Sequence, residues 1–160
     1  TLYGQSDIFE ICRNGTVYQL NEIFKKDPSI INKINSDGYS PLVLSCYHGN
    51  EEVVAFLIDK VNNINGKSDY GTPLMAAVVK GNIKIIEILL KNKADTNISD
   101  SNGTTALHYA IMFKNYEIVE LLLNANADKN IKDNRGQSSI DYAKIFNDKK
   151  LNNLLKINQL

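Results

Sequence analysis

The side chains best suited to chemistry are two histidines, His48 and His108, and two cysteines, Cys12 and Cys46. Catalysis needs a nucleophile or base with a positioned helper, and a metal needs several ligands at compatible spacing. Neither condition is met: the sequence has no Cys-x-x-Cys, His-Glu-x-x-His, Gly-x-Ser-x-Gly or glycine-rich phosphate loop. Asp100-Ser101-Asn102-Gly103 has the opening of a calcium loop, but no glutamate follows six residues after the glycine. A turn is the better reading there. The cysteines lie 34 residues apart (46 − 12), each three residues before a glycine, Gly15 or Gly49. That regularity places them at equivalent points of neighbouring structural units. Stacked helices sit about 8–10 Å apart, beyond the roughly 7 Å a disulfide spans, so both are expected as small buried thiols.

The elements that would position these residues repeat. Gly71-Thr72-Pro73-Leu74 is a turn glycine, a helix cap, a helix-starting proline and an apolar residue, and the same order returns around Gly38, Gly103 and Gly136. The hydroxyl column Ser6, Ser40, Thr72, Thr105, Ser138 has spacings of 34, 32, 33 and 33 by subtraction. A fixed period of this length marks stacked helix pairs, none of which buries its apolar face alone. Five approximate units follow: 6–35, 36–68, 69–99, 100–132 and 133–160. In the first, Ser6 is expected to cap a helix, Asp7 with Glu10 to form a capping box, and Gly15 to stop it in the left-handed conformation. Lys114 replaces the stop glycine in the fourth unit, which predicts a strained junction. Polar Gln19 and Glu22, and later Asn152 and Asn153, mark the first and last units as caps. Asn32, Asn65, Asn97 and Asn130 each precede a turn glycine by six residues and are expected to brace the local turn. The segments 98–102 and 131–135 read as extended hairpin fingers.

Composition narrows function by exclusion. Eighteen basic residues balance eighteen acidic ones, which lacks the electrostatic footprint of a nucleic-acid or membrane-surface binder. No apolar run approaches the roughly 18 residues of a membrane span. Residues 1–5 read as a leader or a disordered N-terminus. Leu2-Tyr3-Gly4-Gln5 fits the tail of a signal peptide cut before Gln5, although Leu2 is larger than usual there. Two localisations follow, cytoplasmic or, with a leader, bacterial periplasmic or secreted.

The units resemble the ankyrin repeat. The resemblance is carried by Gly71 through Ala77, Thr105-Ala106-Leu107-His108, Ile118 through Leu123, and the loops Ala94-Asp95-Thr96-Asn97 and Ala127-Asp128-Lys129-Asn130. Val43 and Met75 stand where that motif has histidine, and the first and last units match least. The resemblance implies an all-α solenoid of five helix-turn-helix repeats with short hairpin fingers. It also implies a non-enzymatic module that binds other proteins through fingers and a concave groove lined by first helices. No cofactor is expected, and the partner is a protein, with no nucleic acid, no membrane and a monomeric chain. A small-molecule or peptide binder, or an exported inhibitor or immunity-type adaptor, is the alternative.

His108, at the motif-histidine position, is expected to be a hydrogen-bonded structural residue. His48 falls on the groove side beside Gly49. Groove positions are the two residues before each first-helix stop, and the partner-binding set is Tyr47, His48, Val79, Lys80, Met112 and Phe113, extended by Tyr39 and Tyr70 at the fingers. Aromatic and Met side chains at such positions resemble interface hot spots. The competing reading packs Met112 and Phe113 between neighbouring helices. Phe146 is assigned to cap packing.

Overall fold

The computed structural model describes residues 7–157. Among them are ten α-helices: α1 (Ile8–Asn14), α2 (Val17–Lys26), α3 (Pro41–His48), α4 (Glu51–Leu57), α5 (Pro73–Lys80), α6 (Ile83–Lys91), α7 (Ala106–Met112), α8 (Tyr116–Asn124), α9 (Ser139–Phe146) and α10 (Lys149–Leu154). Successive helices pair, giving five hairpins. The first helices touch in the series α1, α3, α5, α7, α9, and the second helices in the series α2, α4, α6 and again α8, α10. A 3-10 turn, Pro28–Asn32, follows α2 and was not foreseen. The fold is the expected all-α solenoid.

Each helix begins where a short polar side chain can accept an orphan backbone N–H, a cap worth about 1 kcal/mol. Ser40, Thr72, Thr105 and Ser138 accept from Val43, Met75, His108 and Asp141 respectively. Asp7, rather than Ser6, caps α1 by accepting from the Phe9 N–H at 3.2 Å. Ser6 and residues 1–5 fall outside the described residues. The expected Asp7–Glu10 box is not formed: the Glu10 carboxylate reaches forward to Asn14 at 2.9 Å and Arg13 at 3.6 Å. The second helices have their own cap column, Thr16, Asn50, Asn82, Asn115 and Asp148. Helices of six to ten residues are too short to persist alone. These caps and the stacking hold them.

The core is a set of columns at the repeat spacing. Val53, Val54 and Leu57 of α4, Ile85, Ile86 and Leu89 of α6, and Ile118, Val119 and Leu122 of α8 are all fully buried. Each such side chain contributes about 1.5–3 kcal/mol by leaving water. Against them pack Leu42, Leu74, Leu107 and the small residues Ser45, Ala77, Ala110 and Ala143 of the first helices. Small residues there let the helices approach closely. Asn152 occupies the slot equivalent to Val119 and is buried with its Oδ1 unpartnered.

Gly15 ends α1 for a reason other than the one expected. Its backbone is extended (φ −91°), and a β-carbon there would lie 2.7 Å from Ile11 Cα and 2.9 Å from Gln19 Oε1. It is glycine for space, since Gln19 must reach back to the Thr16 N–H at 2.9 Å in a capping box. The expected local role of the asparagine column is also corrected. Asn32, Asn65 and Asn97 accept from the backbone N–H of Asn62, Asp95 and Asp128 at 2.7–2.8 Å. They tie each unit to the next.

The fingers are short hairpins closed by isolated bridges, Ser68 with Gly71, Ser99 with Thr105 and Lys132 with Ser138. A side-chain acceptor pins each turn from inside: Asn35, Ser68, Asp100 and Asp133 receive N–H groups two residues on. Fingers also bond to one another, Ser101 Oγ to the Asp69 carbonyl and Asn134 Nδ2 to the Ser101 carbonyl, both at 2.9 Å.

Candidate functional site

The candidate surface forms where the first helices run out. α3 and α5 stop at Gly49 and Gly81 in the left-handed region (φ 74° and 68°). The chain takes the same bend after α7 at Lys114 (φ 51°) and after α9 at Asn147 (φ 50°), where a β-carbon costs about 1–2 kcal/mol. The expected strained junction is therefore present. The residues just before each bend are carried out of the core. Tyr47 is 44% exposed, Val79 39%, Phe113 57% and Ile145 64%.

Toward the N-terminal end, Tyr39, Tyr47, His48 and Tyr70 line one hollow of about 450 Å³, with Arg13 and Asp37 at its rim and Val43, Leu44 and Ala76 beneath. The Tyr39 and Tyr70 rings stack with centroids 5.3 Å apart, and the Tyr47 ring meets His48 edge-on at 5.4 Å. Lys80, from the next unit, holds its ammonium 4.8 Å above the Tyr47 ring, a contact worth about 0.5–1 kcal/mol at an exposed site. Desolvation, with the cations Arg13 and Lys80, holds the His48 imidazole below its ordinary pKa of 6.5. Burial, with Tyr70 and Asp37 nearby, pushes the Tyr39 hydroxyl above 10.0.

Toward the C-terminal end the aromatics are tied down. Tyr109 donates its hydroxyl to Asp100 Oδ2 and Tyr142 to Asp133 Oδ2, both at 2.5 Å. Burial together with that bond raises the Tyr109 pKa to about 12. Phe113 stacks on Tyr109 with centroids 6.4 Å apart, and Lys114 sits 5.4 Å over the Phe146 ring. Met112 is half-buried and turns away from Phe113, lining a smaller hollow of about 230 Å³ with Thr104, Arg135 and Tyr142. Tyr39, Tyr47, His48, Tyr70 and, through its ring contact, Lys80 are thus brought together. Val79 and Phe113 lie exposed along the same helix ends, and Met112 belongs to another hollow.

The remaining chemistry-bearing side chains are spent on the fold. His108 is fully buried. Its Nδ1 accepts from the Thr105 N–H at 3.1 Å, so Nε2 carries the proton and donates to the Gln137 carbonyl at 3.0 Å. That bond crosses from one unit to the next. Cys12 and Cys46 are free and buried; burial pushes the Cys12 thiol to about 11 and Cys46 higher still. Such thiols are poor nucleophiles. Asp100 receives two backbone N–H groups on Oδ1 and Tyr109 on Oδ2, which fixes it as a turn residue. Sequence reasoning missed the Asx-turn column and its tyrosine partners, although Asp100/Tyr109 and Asp133/Tyr142 share a separation of nine residues.

Against known sequences, the family described as Ankyrin repeats (3 copies) matches residues 8–100 and 67–133. The chain belongs to the ankyrin repeat family. A relative is the rat Ankyrin repeat and SAM domain-containing protein 6, 36% identical over 102 residues, covering 62% of this chain and 12% of that protein. The Neurospora crassa Ankyrin repeat protein nuc-2 is 30% identical over 107 residues, 66% of this chain and 10% of its own length. The Saccharomyces cerevisiae Probable 26S proteasome regulatory subunit p28 is 28% identical over 108 residues, 63% and 47%. The chain thus spans a small part of the first relatives and about half of the yeast one. Ankyrin repeats are protein–protein interaction modules, and this ankyrin stack has, among its described residues, no helix long and apolar enough to cross a membrane.

Proposed function

We propose that this ankyrin stack is a non-enzymatic module that binds a protein partner through the groove at the first-helix ends and the fingers beside it. One observation carries the reading. Tyr47, Tyr70, Val79 and Phe113 are exposed, although the solenoid core closes without them. Large aromatic side chains concentrated on one face are a feature of interface anchors. Single exposed apolar residues are ordinary, but three tyrosines around one hollow are not scattered. The binding set is Tyr39, Tyr47, His48, Tyr70, Val79, Lys80 and Phe113, with Met112 reaching a partner only from the finger side. The chain acts as a monomer of residues 6–160, without nucleic acid.

The test is affinity capture from native extract read by mass spectrometry, with wild type beside Tyr47→Ala/Phe113→Ala. A protein held by wild type and lost by the variant supports the groove. Equal retention moves the site to another face. A small metabolite released from purified native protein on unfolding, with no protein retained, favours the small-molecule alternative.

A further inference from the structure

We propose that the groove takes an acidic segment of its protein partner, one in which carboxylate side chains alternate with large apolar ones. This rests on the groove reading above and adds the partner's chemistry. The chain is neutral overall, yet its charges are sorted by helix row. Helices α3, α5 and α7 contain no carboxylate, whereas α4, α6 and α8 contain Glu51, Glu52, Glu87, Glu117 and Glu120. The bends after the first helices instead carry cations: Arg13, Lys80 and Lys114, with His48 beside them.

A cation near a helix C-terminus complements the backbone dipole, and that accounts for one charge per helix. It does not account for where these cations point. Lys80 lies over Tyr47 and Lys114 over Phe146, each reaching across to an aromatic of the neighbouring unit. Among the described residues neither has a carboxylate within ion-pair distance, while on the second-helix row Lys84 pairs with Glu51 at 2.9 Å. A ring occupies one side of an ammonium, leaving its remaining N–H donors for an incoming oxygen. The groove therefore offers apolar contact at Tyr47, Tyr70 and Phe113 interleaved with ammonium groups about one helix spacing, 8–10 Å, apart. The carboxylates near it are few: Asp37 at the rim, and Glu10, already engaged by Arg13 and Asn14. The depression of the His48 pKa by Arg13 and Lys80, after desolvation, agrees with a positive local potential. A nucleic acid is the less suitable polyanion, because its affinity grows with the number of phosphates neutralised and the five glutamates on the other row oppose it.

Random-peptide display on the immobilised protein tests this. Three targets are used in parallel: wild type, Lys80→Glu/Lys114→Glu, and Tyr47→Ala/Phe113→Ala. The expected enrichment is of peptides mixing Asp or Glu with Phe, Leu or Tyr. A synthetic copy of the best should weaken at least about tenfold on the charge-reversed protein and lose affinity with added salt. Peptides that depend on Tyr47 and Phe113 but are neutral or basic overturn the charge proposal and leave the groove reading standing. No enrichment that depends on those two residues overturns both. Displacement of the peptides by a mixed-sequence single-stranded oligonucleotide, or dimerisation in sedimentation that is abolished by the charge reversal, assigns the groove to nucleic acid or to a second copy instead. Either overturns the proposal.

Discussion

The two halves of the first-helix face use the same residue type to different ends. In the C-terminal half Tyr109 and Tyr142 place their hydroxyls on turn carboxylates, and His108 spans from the Thr105 cap to the next unit's backbone. In the N-terminal half Val43 and Met75 fill the histidine slot with buried apolar groups, and the turn acceptors Asn35 and Ser68 carry no negative charge for a tyrosine to bond. Tyr39, Tyr47 and Tyr70 collect around an open hollow instead. Polar bonds fix the aromatics of one half to the fold. In the other half they remain at the surface, available to a partner. A repeat array permits this, because stability is roughly a sum over units and neighbouring interfaces. One junction can be tightened while another is left open.

The sharpest way to break this contrast is at His108. Replacing it with alanine strands the buried Gln137 carbonyl and opens a cavity, so unfolding free energy should drop by about 2–4 kcal/mol in urea titration. A loss comparable to a surface substitution would mean that the C-terminal half is not held as described. Next come Tyr109→Phe and Tyr142→Phe, each expected to lose about 1 kcal/mol at neutral pH by surrendering a hydrogen bond to a carboxylate. The pH dependence sharpens this. The Tyr109 pKa is raised in the folded state, so its contribution is complete below the unfolded value of 10.0 and is lost as pH rises toward about 12. Alkaline melting curves of Tyr109→Phe should be flatter than wild type over that window.

Lys114→Gly acts in the other direction. It relieves the left-handed backbone at φ 51° and should raise stability by up to about 1 kcal/mol, as the αL penalty exceeds the entropy glycine adds to the unfolded chain. It also removes an ammonium from the groove, so stability and partner affinity should move oppositely. The smallest expected effect is at His48. Its folded pKa lies below 6.5, so the unfolded chain binds more protons and stability falls as pH drops through 6.5. His48→Ala should flatten that part of the melting-temperature profile.

The period of Ser40, Thr72, Thr105 and Ser138 made the stack legible in the sequence, because each hydroxyl must cap a helix and each following leucine must enter the core. The exposed groove residues were legible for the converse reason: the apolar columns already filled the core slots. What escaped depends on contacts between units. The asparagine ladder looks like local turn chemistry until the acceptor is seen to take an N–H about thirty residues ahead. Gly15 looks like any helix stop until the approach of Ile11 and Gln19 is measured. The divergence of Met112 from Phe113 depends on side-chain direction at a helix end, which adjacency in sequence does not encode.

The claim beneath the contrast is that the groove aromatics are surplus to the fold. Urea denaturation of Tyr47→Ala/Tyr70→Ala/Phe113→Ala beside Tyr109→Phe/Tyr142→Phe tests it directly. The expected result is a groove variant within about 1 kcal/mol of wild type and a tied-tyrosine variant losing about 2 kcal/mol. A groove variant that loses several kcal/mol, more than the tied pair, would contradict the claim and return Tyr47, Tyr70 and Phe113 to the packing of the stack.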